Sequence, residues 1–424
     1  MKSHIDKRMA LLLGFMSNSR KSITRSALWR ALLVSQFFHL GTPGFRVYRV
    51  RDSPAEFSSR TLTLEPAGQL ICEPVRIWGE QKPHPTQRFP YPELRVHILE
   101  EAAVTDNRSF QAAICGGHLL LNNRQEKGPW ELYKPGLADA RGGIIGQRGS
   151  LVAIEEKPSG LKFERGIFLG SRSVGNWSHW LINFLPTLYL VRRLGSEFDN
   201  YPVIIPPNIR QDRHWQETLA FLLGDRQVIQ LEPGKYTSFH KLAWVEPPVY
   251  DTPFSIALDE RVGVALHSEA MSGFRSELYQ GFNGQRKNSG LPTKWFLARK
   301  QKGKRGYNQE QAIEVASNFG VEAVYVEDLE MGEKISLFAH SDLIVGPEGS
   351  GFANILFAPK GARVLTWWPD LLKPGDNYNL NLGALGGVEY WLAPAAWTRK
   401  NPGEDTYILD IELFASALSE LVRN

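Results

Sequence analysis

Cysteine is nearly absent: two residues in 424, Cys72 and Cys115, make neither a disulfide framework nor a cysteine-based metal cluster. No apolar run reaches the ~18 to 20 residues that cross a bilayer, so no transmembrane helix is expected. MALLLGFM, near the start, is short for a signal-peptide core and has a poor small-residue cleavage site. Charge of one sign is also scarce beyond the first residues. Seven cations (Lys2, Lys7, Arg8, Arg20, Lys21, Arg25, Arg30) against Asp6 alone give residues 1–30 a charge of +6, which leaves −2 for the rest of a chain whose net charge is +4. A basic stripe through the body, the footprint of a nucleic-acid binder, is therefore not indicated. The basic start, interleaved with MALLLGFM and ALWRALLVSQFFHL, suits either an anionic membrane surface or a packed N-terminal helix. The expectation is a cytoplasmic protein that contacts a membrane peripherally through that start.

What is present is strand and helix in an ordered succession. After the 1–44 segment, residues 45–170 alternate apolar and polar positions in short runs such as RVYRV, LRVHILEEAAV and GIFLG, punctuated by Gly, Pro and Asn, and read as mostly β. From 171 to 285 the pattern changes: a helix-length WSHWLINFLPTLYLVRRL, strand YPVIIP, helix QDRHWQETLAFLLG, strand VIQL and a long helical stretch SIALDERVGVALHSEAMSGFRSELYQGF. The polar, basic GQRKNSGLPTK places a domain boundary near 284–293. Residues 293–424 resume with strand KWFLAR, helix NQEQAIEVASNFG with Asn308 as N-cap, strand VEAVYV, helix LEMGEKISLFAHS, strand DLIVG, a bend, helix GFANILFA and strand ARVLTWW. Strand-helix alternation of this kind predicts an α/β fold with parallel, doubly wound sheets.

Ligands of such sheets bind beyond the carboxyl ends of the strands, which is where Gly346, Gly349, Ser350 and Gly351 fall. Glycine permits close backbone approach there, and the following helix offers unpaired N–H groups at its positive end. The bend fits neither G-x-G-x-x-G nor G-x-x-x-x-G-K-[ST], so it is read either as a phosphate cradle or as a tight strand-to-helix turn. Arg299, Lys300, Lys302, Lys304 and Arg305 follow a strand end; Arg299, which abuts the strand, is the best candidate to meet a diphosphate, the others being more in keeping with a solvated loop. In NWSHWLINFLP, His179 and Asn183 lie four apart on one helix face. If Asn176 or Ser178 begins that helix, His179 sits in its first turn, where the helix dipole favours a neutral, base-competent imidazole; a structural histidine between Trp177 and Trp180 is the other reading. Trp367 and Trp368, at a strand end, are placed to stack on a base or sugar or to pack in the core.

These segments together resemble glycosyltransferase family 61. Asn176-Trp177-Ser178-His179-Trp180, continuing through Asn183 to Leu185-Pro186, is similar to the family's first signature. Ala298-Arg299 followed by Arg305, Asn308 and Gln309 resembles the second. Val345-Gly346, then Gly349, Asn354, Phe357, Pro359 and Gly361, resembles the third. The resemblance covers roughly residues 90 to 370 and implies a GT-B-like pair of Rossmann-type domains with a β-rich N-terminal portion. It implies an inverting transfer from a nucleotide-sugar donor, held mainly by the second domain, to a glycan acceptor held by the first, as in capsule or exopolysaccharide synthesis, with no obligatory metal and no cofactor. The chain also contains no D-x-D, the usual carboxylate pair of metal-dependent sugar transferases.

On that basis the donor is expected at Arg299, Arg305, Asn308, Gly346, Gly349, Ser350, Gly351 and Asn354, with Asn176, Trp180 and Asn183 serving the acceptor or supporting it. Four positions depart from the family: Asn183 replaces an aspartate, Glu348 a histidine, Gln309 a glutamate and Thr366 a glutamate. Inversion requires a base for the acceptor hydroxyl. Asn183 cannot serve, which leaves His179, the favoured choice, and Glu348, placed by charge against the sugar or ribose rather than the diphosphate. Two rivals stand beside the transferase: a non-catalytic nucleotide- or glycan-binding protein of the same fold, and a Rossmann-type enzyme with another phosphorylated substrate.

Overall fold

The computed structural model describes residues 45–51, 53–79, 83, 86–106, 111–120, 144–148, 150–155, 157–170, 174–207, 209–250, 265–283, 290–300, 306–367, 378–399 and 406–423. The basic 1–44 segment, residues 284–289 of the expected boundary, Lys302, Lys304, Arg305 and Trp368 lie outside the described residues.

Two large sheets organise a mixed α/β chain. In the first, eleven-stranded sheet, four parallel strands stand in the order Val228–Gln230, Val203–Ile205, Lys157–Phe168, Lys235–Val245. The sheet then turns antiparallel through Leu94–Asp106 and Gln111–Cys115 toward the N-terminal strands. The β-rich stretch and the first strand-helix units thus share one sheet. The chain leaves Lys157–Phe168 through the helical stretch 177–191, enters Val203–Ile205, and continues through helix Arg213–Leu223 to Val228–Gln230. That helix buries Trp215, Leu219 and Leu222, spaced four and three apart, so one stripe faces the sheet.

The second sheet is parallel throughout, in the order Glu322–Val324, Lys294–Leu297, Leu343–Pro347, Arg363–Trp367, Glu389–Leu392, Arg76–Ile77. Numbered from Lys294 along the chain, its first five strands follow the doubly wound order 2-1-3-4-5. Strands one and three leave in opposite directions at their shared edge, so a crevice opens between the ends of Lys294–Leu297 and Leu343–Pro347. The sixth strand, Arg76–Ile77, comes from the β-rich region.

Three local expectations are corrected. GFANILFA is not α-helical: Ser350–Phe357 is a 3-10 helix, with Phe352 N–H bonded to Gly349 O at 2.9 Å and Ala358 N–H to Ile355 O at 2.9 Å. All six residues from Phe352 to Phe357 are buried, so packing on every side favours the slimmer helix over a one-sided stripe. The long helix before the boundary begins only at Ser268, because Ala265–Leu266 pairs as a strand with Val249–Tyr250 and the His267 Nδ1 accepts from Ala270 N–H at 3.4 Å. Asn308 stands at the N-cap position of Gln309–Asn318 as expected, but its side chain caps no helix N–H; its amide exchanges hydrogen bonds with the backbone of Leu409 and donates to Gln311 Oε1 at 3.1 Å. Among the described residues no helix is long and apolar enough to cross a membrane.

Candidate active site

The bend follows Leu343–Pro347, whose five residues are all buried. A Cβ on Gly346 would lie 2.6 Å from the Cβ of Leu297 and 3.2 Å from its carbonyl oxygen, so only glycine lets the two strands close up at the switch point. A Cβ on Gly349 would lie 2.4 Å from Nη2 of Arg299. The same guanidinium donates to the carbonyls of Pro347, at 3.2 Å, and Glu348. Arg299 therefore braces the bend from the neighbouring strand. Its own backbone is clamped in turn by Gln309, which accepts from Arg299 N–H at 2.9 Å and donates to Arg299 O at 3.0 Å. Gln309 does this with both ends of a neutral amide; the family's glutamate would supply acceptors only.

Glu348 is buried at 6% exposure and accepts from the side chain of Asn379, on helix Tyr378–Gly386. Asn379 O accepts from Tyr390 Oη at 2.8 Å, and burial together with the charge of Glu348 holds that phenol well above its ordinary pKa. Ser350, by contrast, is exposed, and Gly349 and Gly351 are half-buried.

The helical stretch 177–191 opens on Asn176, whose side chain accepts from Ser178 N–H at 2.9 Å, a true N-cap. His179 therefore sits in the first turn, half-buried. Its Nδ1 meets Asn183 Oδ1 at 3.0 Å across a π-helical turn, Trp180–Phe184. Since an amide oxygen only accepts, Nδ1 carries the proton and the lone pair of the neutral ring is on Nε2. Trp180 is fully buried, stacked on Phe184 with its Nε1 donating to Thr218 at 3.1 Å, so it supports this helix from within. Trp367 is likewise in the core, against Phe296, Tyr307 and Phe414.

Trp177 ties this helix to the bend. Its Nε1 donates to Asn354 Oδ1 at 3.4 Å, and Asn354, buried at 1% exposure, donates to Gly351 O at 2.8 Å. Segments about 120 residues or more apart from the first signature thus converge: 176–186 reaches the bend through Trp177, and Arg299 with Gln309 reaches it through the carbonyls of Pro347 and Glu348. Among the predicted donor residues only Asn308 is directed elsewhere, to Leu409, and Arg305 is not described. Among the described residues no three His, Cys, Asp or Glu side chains are grouped to hold a metal ion.

Residues 177–365 match the family model Glycosyltransferase 61. Over this segment, a little under half of its length, the chain is similar to glycosyltransferase family 61. A family 61 enzyme takes a sugar donor and an acceptor, and the match takes in the three signatures read from the sequence except for Asn176, the first residue of the first. No curated protein matches the chain. The match leaves two local residues unexplained: Asn379, and Lys334 of helix Met331–Ala339, which no signature contains. Lys334 did leave a trace in the sequence, for it stands with Met331, Ile335 and Phe338 on the buried stripe of that helix, where a hydrophobic residue is the rule.

Proposed function

We propose that the protein is an inverting glycosyltransferase that moves a sugar from a nucleotide-sugar donor to a glycan acceptor in surface polysaccharide biosynthesis, working in the cytoplasm with peripheral membrane contact through the basic 1–44 segment. The observation that carries this reading is the convergence of the three signatures at the switch point of the parallel sheet. In this reading the two sheets correspond to the two Rossmann-type halves of a GT-B-like enzyme, with the donor against the second and the acceptor near His179.

His179 Nε2 takes the proton of the acceptor hydroxyl, Nδ1–H being held by Asn183. The acceptor oxygen forms its bond to the anomeric carbon from the face opposite the diphosphate while the carbon–oxygen bond to phosphate breaks. The N–H groups at the start of Ser350–Phe357 meet the charge that develops on the leaving diphosphate. Glu348, buried and bonded to Asn379, is better suited to holding the bend than to accepting the proton. No step in this scheme calls for a metal.

A panel of nucleoside diphosphates, tested by thermal shift without added metal, should contain at least one that raises the melting temperature, and Arg299→Ala should abolish the shift. A panel of donors in a hydrolysis assay should then find one that is turned over, with His179→Ala slowed by ~100-fold or more. If no nucleotide binds at millimolar concentration the reading fails. Asn183 in the place of an acid favours one rival, a protein that binds donor or glycan without transfer; binding with neither transfer nor hydrolysis would select it. Preference for another phosphorylated ligand over every sugar nucleotide would select the Rossmann-type alternative.

A further inference from the structure

Diphosphate needs positive charge, and the two cations of the 299–305 cluster that lie among the described residues are engaged. Arg299 is bonded to two carbonyls of the bend, and Lys300 is paired with Asp328. Lys334 is different. It is buried at 3% exposure; its backbone N–H donates to Glu330 O at 2.9 Å, while among the described residues its Nζ makes no hydrogen bond or ion pair and stands over the Trp177 ring, 5.0 Å from the centroid.

Its position is at the site. Helix Met331–Ala339 starts at the carboxyl edge of the second sheet, after strand Glu322–Val324, with a capping box of Glu330 and Glu333 that leaves Lys334 in the first full turn. The helix packs against Ser350–Phe357, and the indole under Lys334 is the one that bonds Asn354 beside the bend. The lysine, Trp177 and Asn354 thus form one contiguous group joining the first signature to the third. A charge largely taken out of water, balanced only by the carboxylates of Glu327, Asp212 and Glu217 without a direct ion pair, is costly unless a ligand supplies a closer counterion.

We propose that Lys334 is the cation that receives the diphosphate of the donor, its Nζ held over the face of the Trp177 ring. This rests on the nucleotide-sugar reading and names the residue of that site which takes the leaving group's charge. Several groups face Lys334. Glu327 of the turn Val326–Asp328 and Asp212 and Glu217 at helix Arg213–Leu223 act to raise its pKa. Desolvation outweighs them and brings the ammonium down from 10.5 to about 8. His214, beside the same indole, is pushed down to about 4 by burial and by Lys334, so it is neutral wherever Lys334 titrates. On its own helix, Glu330 pairs with Arg213 and Glu333 bonds the Glu330 N–H. Anion binding needs the protonated lysine, so affinity should be level below about pH 8 and fall roughly tenfold per pH unit above it.

The test measures binding of UDP, GDP, CDP and ADP, with inorganic pyrophosphate as a base-independent probe, to wild type, Lys334→Met and Lys334→Arg from pH 6.5 to 9.5. Expected are a Lys334→Met protein with a higher melting temperature in the absence of ligand and at least tenfold weaker diphosphate binding, and a Lys334→Arg protein that binds with no fall above pH 8. A merely structural lysine would give the reverse: lower stability in Lys334→Met and unchanged binding. Wild type binding one of these probes with Lys334→Met binding equally overturns the proposal while leaving the transferase reading intact. Wild type binding none of them overturns both.

Discussion

At the scale of single residues the proposed chemistry turns on Asn183, an amide where the family 61 signature that this segment resembles has an acid. Asn183 meets His179 Nδ1 at 3.0 Å, where an aspartate could make the same contact, yet the amide would bring no negative charge to stabilise an imidazolium if His179 takes the acceptor proton as proposed. The tautomer is set without that charge. Asn183→Asp should therefore raise kcat by roughly tenfold or more, as expected when a base gains a stabilising partner. The acid limb of the kcat profile should also move to higher pH, because a nearby carboxylate keeps the ring protonated longer. Unchanged kcat and an unchanged limb would remove His179 from the role of base. Helix spacing alone put the two side chains on one face. The π turn at Trp180–Phe184, and the hydrogen bond it carries, depend on packing of Trp180 against Phe184 and Thr218, which no local pattern encodes.

Among elements, the closest constraint is between strands Lys294–Leu297 and Leu343–Pro347. Gly346→Ala would drive a methyl group to 2.6 Å from Leu297 Cβ and 3.2 Å from its carbonyl, and buried strands have little room to part. Overpacking of this kind costs about 1 to 3 kcal/mol. It should appear as a lower melting temperature together with a loss of nucleotide binding larger than the stability loss explains, since the same strand ends carry Arg299 and the bend. Nucleotide binding equal to wild type would show that the strand spacing does not shape the site. The glycine itself was legible, as were the strand-helix alternation and the three signatures, because each is a local pattern with a local physical cause. Less legible were features fixed by distant partners: Asn308 turned to Leu409, Ser350–Phe357 wound as a 3-10 helix, and Lys334 hidden against Trp177. Lys334 interrupts a buried stripe, and such an interruption is the trace that a sequence leaves of a charged side chain packed among apolar neighbours.

Across the whole molecule, the two sheets are not separate bodies in their packing. Strand Arg76–Ile77 leaves the β-rich region to pair with Trp391 and Leu392 at the edge of the second sheet, and Trp78 N–H bonds Leu392 O at 2.8 Å. Nearby, the Cys72 thiol donates to Asn381 Oδ1 at 3.3 Å, and burial pushes its pKa up to about 12, so it is inert as a nucleophile. A single hydrophobic cluster runs from Leu70 and Ile77 through Trp180 and Leu185 to Phe352, Leu356 and Leu382. Unfolding one sheet would expose apolar surface of the other, so the free energies of the two are coupled. The expected outcome is one calorimetric transition whose enthalpy agrees with its van't Hoff value, a diphosphate bound at the bend raising that whole transition. Ile77→Asp, which places a charge in the shared core, should lower the single transition for both sheets together. Two transitions, one of them unmoved by Ile77→Asp and the other alone responding to nucleotide, would mean that the halves fold independently. The reach of Trp177 to Asn354 would then be a contact made and broken as the halves move, rather than a fixed part of the core.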